Sequence, residues 1–212
     1  MQNNIFFITG IGTGIGKTVA AAIVAEALHA NYWKPVQCGF EDGTDKFTMQ
    51  RLLSNSDSIC FDEIYKLEMP ASPHIAARNE NIKIDVDKII DFFKKLNKNK
   101  PLVIEGAGGI MVPLNENEFI IDLIKKLRAQ VILISRNYLG SINHSLLTAA
   151  LCKQNNLPVA GWIFNDVFMN YENEIEAWTG YRKLATIPFC KSITKHFVLQ
   201  QAALLKEVLH KI

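Results

Sequence analysis

Short apolar runs alternate with amphipathic stretches along the whole chain. Ile5-Phe6-Phe7-Ile8-Thr9 is rich in β-branched and aromatic residues, ends at Gly10 and predicts a strand, with Thr9 at its end. Leu102-Val103-Ile104, Val131-Ile132-Leu133-Ile134 and Val159-Ala160-Gly161-Trp162-Ile163-Phe164 predict further strands, and Tyr32-Trp33-Lys34-Pro35-Val36 a second strand early in the chain. Uninterrupted apolar runs of this kind suit parallel strands covered on both faces. Between them, the Ala-rich stretch Val19 to Leu28 favours helix, as does Phe47 to Leu53. Val86, Ile89, Ile90 and Phe93 fall on one helical face, with Lys88, Lys94 and Lys95 off that stripe as a solvated side. Leu205, Val208, Leu209 and Ile212 repeat the spacing in a terminal helix. Strands interleaved with helices predict an α/β fold, a mostly parallel sheet flanked by helices on both faces. No internal repeat, low-complexity tract or Pro/Gly/Ser linker interrupts the pattern, so residues 1–212 read as a single domain.

Composition narrows the class. Of 212 residues 49% are apolar, enough for a core without disulfides or a structural metal. Lys and Arg number 23 against 21 Asp and Glu, a net charge of +2, which is no electrostatic footprint for nucleic acid or an anionic membrane. The apolar runs fall far short of the roughly 18 residues of a membrane span. Met1-Gln2-Asn3-Asn4 has no basic region and Gly10 breaks the run behind it, so no secretory signal is expected. Cys38, Cys60, Cys152 and Cys190 form no CxxC pair and read as reduced thiols of a cytoplasmic protein.

The segment with the most chemistry is Gly10-Ile11-Gly12-Thr13-Gly14-Ile15-Gly16-Lys17-Thr18-Val19. It follows a predicted strand and opens a predicted helix, as a phosphate-binding loop does, which makes the fold one of the P-loop NTPase type. Its glycines let backbone N–H groups turn inward around phosphate oxygens, and the helix start adds its positive dipole end. Lys17 would reach the β- and γ-phosphates and the Thr18 hydroxyl would ligate Mg²⁺. The loop is Gly10-x5-Gly16-Lys17-Thr18, one residue longer than the common spacing, which would need glycine at Ile11.

Mg²⁺ takes one or two carboxylates besides phosphate oxygens. Glu105 follows the strand 102–104 and precedes Gly106-Ala107-Gly108-Gly109, which places it at the C-terminal edge of a parallel sheet, where ligands gather. Asp45, in Glu41-Asp42-Gly43-Thr44-Asp45, reads equally as a helix N-cap, and the sequence does not separate it from Asp42. Lys34, at the end of its predicted strand, is a candidate to bind the negative charge that develops in phosphoryl transfer.

Together these pieces resemble the dethiobiotin synthetase family. The resemblance rests on the long loop with Gly16-Lys17-Thr18, Lys34-Pro35-Val36, Ser72-Pro73-His74-Ile75, Glu105-Gly106-Ala107-Gly108-Gly109, Gly140-Ser141-Ile142-Asn143-His144 and Gly161-Trp162-Ile163-Phe164-Asn165-Asp166, in family order. It implies an ATP-dependent carbon–nitrogen cyclo-ligase of biotin synthesis. Such an enzyme carboxylates one amine of 7,8-diaminopelargonic acid with CO2, phosphorylates the carbamate from ATP, and closes the ureido ring by attack of the second amine.

The resemblance further implies that Lys34 and Lys17 stabilise the carbamate and the transferring phosphoryl group, with Thr13 near the reacting amines. It implies Thr18, Asp45 and Glu105 as Mg²⁺ ligands. Backbone from Gly14 through Ile15, Gly16, Lys17 and Thr18 to Val19 would cradle phosphates beside Gly106, Ala107 and Gly108. Asn165 and Asp166 would border the nucleobase, with Ile187, Pro188 and Phe189 closing over it. The implied assembly is a homodimer, with the substrate carboxylate held across the interface near Ser141, Ile142 and Asn143. His74 and His144 read as packing and capping residues.

Three departures stand out. Thr13-Gly14-Ile15 lacks the Thr-Glu common in the family, Cys38 stands where a substrate-contacting Ser is usual, and the segment after Asp166 is short. That segment does not fix the nucleobase contacts, or whether Tyr171 or Trp178 is the aromatic partner of the substrate carboxylate. A nucleotide-switched partitioning ATPase is the rival of a different class, but such proteins carry an extra lysine early in the loop, where this chain has Ile11 and Gly12. Amide-forming ligases of the cobyrinate or CTP-synthase type append a glutaminase domain for which 212 residues leave no room.

Overall fold

The computed structural model describes residues 4–96, 99–166 and 169–211. In chain order its elements are β1 (Ile5–Gly10), α1 (Lys17–Leu28), β2 (Asn31–Trp33), β3 (Val36–Cys38), α2 (Asp45–Leu52), β4 (Tyr65–Leu67), α3 (Pro73–Asn79) and α4 (Val86–Lys95). There follow β5 (Leu102–Glu105), α5 (Ile120–Leu127), β6 (Gln130–Arg136), α6 (Ser141–Gln154), β7 (Val159–Asn165), α7 (Glu172–Thr179), β8 (Lys183–Ile187) and α8 (Lys195–Leu209). Six strands form one sheet in the order β2-β5-β1-β6-β7-β8, every pair parallel, and β3 and β4 form a separate parallel pair.

The apolar runs of the sequence are strands with two buried faces. Phe7, Trp33, Leu102, Ile104, Leu133, Trp162 and Phe164 pack into one core, and Phe6, Ile8, Tyr32, Val103, Ile132, Ile134 and Ile163 into the other. That is the period of two expected of strands sandwiched between helix layers. On the second face α1 packs against α8 and α2; α4 meets α5 and α6 meets α7. The helix starts follow local chemistry as well. Asp85 accepts hydrogen bonds from the amides of Asp87 and Lys88 at the head of α4, and Thr194 from the amide of Phe197 at the head of α8. Ile212, the last member of the terminal helical stripe, lies outside the described residues.

One expected strand is divided. Tyr32 to Val36 does not run as a single strand: β2 ends at Trp33 in the main sheet, and β3 starts at Val36 in the small one. Pro35 has no N–H for a ladder, and its carbonyl instead accepts from the amides of Ile64 and Tyr65. The break has a consequence for the site, because Lys34 leaves the sheet at this corner and points across its C-terminal edge.

Sheet order positions that edge. From the interior strand β1 the chain passes to β2 on one side, and from β5 it crosses β1 to reach β6 on the other. The loops after β1 and β5 therefore flank a topological switch point, where α/β folds open a ligand crevice. Gly10, where β1 meets Ile134 of β6, has no room for a side chain: a Cβ there would stand 2.0 Å from the Ile134 carbonyl oxygen. Gly10→Ala is expected to lower unfolding stability by about 2 kcal/mol or more, since backbone must move to admit it. Urea denaturation checks this, and an unchanged midpoint with an unchanged slope would show that the strand pair relaxes freely.

Candidate active site

The loop between β1 and α1 is built for anions. Gly14 (φ 70°) and Gly16 (φ 86°) take left-handed backbone, and a Cβ on Gly16 would collide with the Asn165 side chain at 1.8 Å. Asn165 Nδ2 donates to the Ile15 carbonyl at 3.0 Å, tying the loop to the end of β7. Whereas α2, α4 and α8 carry side-chain caps, α1 has none, so its first amides face the loop without an intrahelical partner. Lys17 folds back across the loop and donates to the Gly12 carbonyl at 2.6 Å. Burial, reinforced by the charge of Lys34, lowers its pKa to about 8, against the opposing pull of Glu105 and Asp45.

Beside the loop, five side chains from four segments converge. Thr18 Oγ1 lies 2.9 Å from Asp45 Oδ1 and 2.9 Å from Glu105 Oε1. Lys34 Nζ donates to Asp45 and, at 3.2 Å, to Glu105 Oε1. Tyr32, from β2, donates its hydroxyl to Glu105 Oε2 at 2.7 Å. The structure separates the two aspartates left open by the sequence. Thr44 caps α2, Asp45 turns inward from its first turn with its amide on Gln37 Oε1 at 3.3 Å, and Asp42 stays exposed in the loop.

Electrostatics follow from this packing. Burial would lower the pKa of Lys34, but Glu105 and Asp45 outweigh it and hold the ammonium above its ordinary value. Burial would raise Asp45, and Lys34 brings it below the usual carboxylate range. Tyr32 is pushed well above its ordinary value by burial and by the Glu105 charge, so its phenol remains a donor.

The donor set suits Mg²⁺. Thr18 has one hydroxyl hydrogen, yet two carboxylate oxygens stand at hydrogen-bonding distance from it, so one of the two oxygen pairs has no proton between its atoms. Three hard oxygens gathered this way match a hard cation that completes its shell with phosphate and water oxygens. No group of three or more His, Cys, Asp or Glu placed to hold a metal occurs among the described residues.

Two cavities meet at Gly14 and Gly16. The larger, about 650 Å³, is lined by Thr13, Lys17, Lys34, Cys38, Ser72 and Glu105 among others, with Ala107 and Gly108 in its wall. The smaller, about 210 Å³, is lined by Asn165, Asp166, Ile187, Pro188 and Phe189 together with Arg136. Val19 borders both, whereas Gly106 lies beneath the wall, where a Cβ would meet the Phe7 ring at 2.7 Å. Arg136, which has no role in the sequence reading, pairs with Asp166 at 3.1 Å. Cys38 keeps its proton: burial raises its pKa to about 11, with Lys34 only partly opposing.

Ser141, Ile142 and Asn143 do not line either cavity. The Ser141 hydroxyl is 2.6 Å from the Tyr171 hydroxyl and accepts from the Tyr138 amide, while Tyr171 donates to the Tyr138 carbonyl at 3.0 Å. Asn143 is exposed at the start of α6, and Trp178 is exposed on α7. His74 pairs with Ser72 and His144 with Tyr138 through their Nδ1 atoms, both local contacts. Sequence reasoning passes over Tyr32 and Gln37, whose polar ends act only because β5 and α2 lie beside them. The alternation that puts Tyr32 on the α1 face was readable, but its partner was not.

A parallel sheet, a glycine-rich loop running into an uncapped helix, and a lysine and threonine set before two carboxylates define a P-loop nucleotide-binding protein. A family model described as an AAA domain matches residues 4–196. The chain is 46% identical over 199 residues to the ATP-dependent dethiobiotin synthetase BioD of Cytophaga hutchinsonii, covering 93% of this chain and 94% of that protein. It is 51% identical over 160 residues to the ATP-dependent dethiobiotin synthetase BioD of Christiangramia forsetii, covering 76% and 75%. The chain belongs to the dethiobiotin synthetase family. Among solved structures, a ParA family ATPase from Chlorobium tepidum superposes with a TM-score of 0.58 at 15% identity, over 99% of this chain and 98% of that one, a likeness of fold alone.

The Lys34 cluster makes a pH-dependent contribution to stability whose sign is fixed by its shifts. Asp45, depressed in the folded state, contributes above about pH 4 and loses that contribution on acidification; Lys34, raised, contributes below about pH 10.5 and loses it on alkalinisation. Lys34→Met is expected to cost about 3 kcal/mol at pH 7, because it leaves Glu105, 1% exposed, without its cation. The deficit should shrink toward pH 4 as Asp45 takes up its proton. Urea unfolding at pH 7, 5.5 and 4 measures it, and a constant deficit would assign the loss to packing.

Proposed function

We propose that this chain is an ATP-dependent cyclo-ligase that closes the ureido ring of dethiobiotin from 7,8-diaminopelargonic acid and CO2, in biotin biosynthesis. One observation carries the reading: Lys17, Lys34 and the Thr18–Asp45–Glu105 oxygens share a single cavity of about 650 Å³, large enough for a triphosphate tail and a small substrate together. The relatives at 46% and 51% identity support the reading, since their names state ATP and the product dethiobiotin of those proteins; the diamine and CO2 follow from the resemblance.

In this reading the amides of residues 14 to 19 and Lys17 bind the triphosphate, and the nucleobase lies between Asn165, Asp166 and the Ile187-Pro188-Phe189 segment. Thr18, Asp45 and Glu105 hold Mg²⁺, which when bound neutralises phosphate charge. Lys34 neutralises the carbamate formed on one amine, with Thr13 beside the reacting groups. A carbamate oxygen attacks the γ-phosphorus and ADP leaves, giving a carbamic-phosphoric anhydride. The second amine attacks the anhydride carbon, its proton passes to solvent, and inorganic phosphate leaves as the ring closes. The residues act by positioning and by charge neutralisation, not through a covalent enzyme intermediate. Cys38 lines the substrate end as a neutral thiol, a weaker donor than a serine hydroxyl.

The assembly belongs to the same reading. Ile142 and Asn143 stand apart from the lysines within one copy, so a homodimer supplies them to the neighbouring cavity, where the start of α6 receives the substrate carboxylate and Ser141 lies buried behind them on Tyr171. Exposed Leu139 (91%) and Leu147 (61%) flank that helix start and support burial there. The reading places the whole activity in one domain of a cytoplasmic protein. It is consistent with there being no helix long and apolar enough to cross a membrane among the described residues.

Phosphate release from ATP is expected only when both the diamine and CO2 or bicarbonate are supplied. Equal release without the diamine would favour a nucleotide switch. Lys17→Ala is expected to reduce kcat/KM for ATP by about 10²–10³-fold, and an unaltered value would remove the loop from the chemistry. For the assembly, Asn143→Ala should raise KM for the diamine about tenfold while leaving nucleotide affinity alone. A monomer in sedimentation equilibrium with full activity would refute the shared site.

A further inference from the structure

Tyr32 has no part in the mechanism above, yet it is fully buried against the centre of the site. It stands on β2 opposite Val103 of β5, so its ring leaves the sheet on the same face as Val103 and Glu105, the face covered by α1. From there its hydroxyl reaches across one strand spacing to Glu105 Oε2 at 2.7 Å. The other oxygen, Oε1, meets the Thr18 hydroxyl at 2.9 Å and the Lys34 ammonium at 3.2 Å. The two oxygens of one carboxylate are thus divided, Oε2 turned back into the sheet and Oε1 turned out to the cavity. Glutamate brings considerable rotamer freedom, and a carboxylate held by one oxygen alone can still rotate to present either or both.

We propose that Tyr32 is a positioning residue for the metal-binding carboxylate: its hydroxyl anchors Oε2 so that Glu105 offers Oε1 alone, beside Thr18, to the divalent cation. The inference rests on the reading of Thr18, Asp45 and Glu105 as metal ligands. A rigid phenol suits the task, because a shorter hydroxyl on β2 would not span the gap and a charged donor would compete with Lys34 for the same carboxylate. Partners of this kind behind a metal ligand typically change metal affinity about 10–100-fold when removed.

The test is Tyr32→Phe, which keeps the ring and deletes the hydroxyl, with Glu105→Gln alongside. Mn²⁺ binding is followed by electron paramagnetic resonance in the presence of a non-hydrolysable ATP analogue, and the analogue's own affinity is measured separately in EDTA. The expected result for Tyr32→Phe is a Mn²⁺ Kd raised about tenfold, with metal-free affinity for the analogue within about twofold of the parent protein. Wild-type Mn²⁺ affinity in Tyr32→Phe, with Glu105→Gln impaired, overturns the positioning role and leaves the ligand assignment standing. Wild-type Mn²⁺ affinity in Glu105→Gln overturns the ligand assignment and the inference with it. An equal loss of metal-free and metal-dependent binding in Tyr32→Phe also overturns the inference, since the hydroxyl would then serve the packing of the whole site.

Discussion

Two carboxylates stand side by side at the C-terminal edge of the sheet, and the ammonium of Lys34 between them makes that arrangement tenable. Glu105 is almost wholly buried and Asp45 largely so, and both touch the same threonine hydroxyl. Without a cation, burying two carboxylates side by side would be costly. With Lys34 in place Asp45 is held below the usual carboxylate range, despite its burial. The same lysine faces the cavity, so its charge serves both the resting protein and whatever anion enters.

That dual role explains the local backbone. A lysine inside β2 would project above or below the sheet, into one of the helix layers. Ending β2 at Trp33 and turning at Pro35 aims Lys34 along the sheet edge instead, and β3 of the small pair continues along the cavity wall with Gln37 and Cys38. Asp45 is brought in by a separate device, the Thr44 cap that starts α2 and leaves the next side chain directed at Thr18. The neighbouring Lys17 is placed under the opposite stress. Desolvated and close to Lys34, it holds its proton less firmly, and an incoming polyphosphate would relieve that stress by supplying negative charge.

The architecture was legible because its signal is periodic. Runs such as Val131 to Ile134 and Val159 to Phe164 state parallel strands with two covered faces, and Gly16-Lys17-Thr18 after a strand states where phosphate would lie. The start of α1 was legible from the loop itself. The division of Tyr32–Val36 was not read, although Pro35 signals it, because the apolar run on both sides looks continuous. Asp45 could not be told from Asp42, since that choice depends on which residue caps α2, a matter of one backbone position. The Tyr32–Glu105 contact was out of reach for a deeper reason: it joins residues 73 apart in the chain through the order of strands, and strand order is not a local property.

Fold and chemistry separate cleanly here. The ParA family ATPase shares the fold over almost the full length of the chain at 15% identity, and fold alone does not fix chemistry. A nucleotide switch needs the loop and a surface that changes with the γ-phosphate. A ligase must also admit a second reactant beside that phosphate and neutralise it there. In the proposed reading Lys34, with Cys38 and Ser72 along the same cavity, would serve that second task. The parallel sheet alone does not call for a buried ammonium between two carboxylates, so the Lys34 cluster beside the phosphate loop favours the ligase reading.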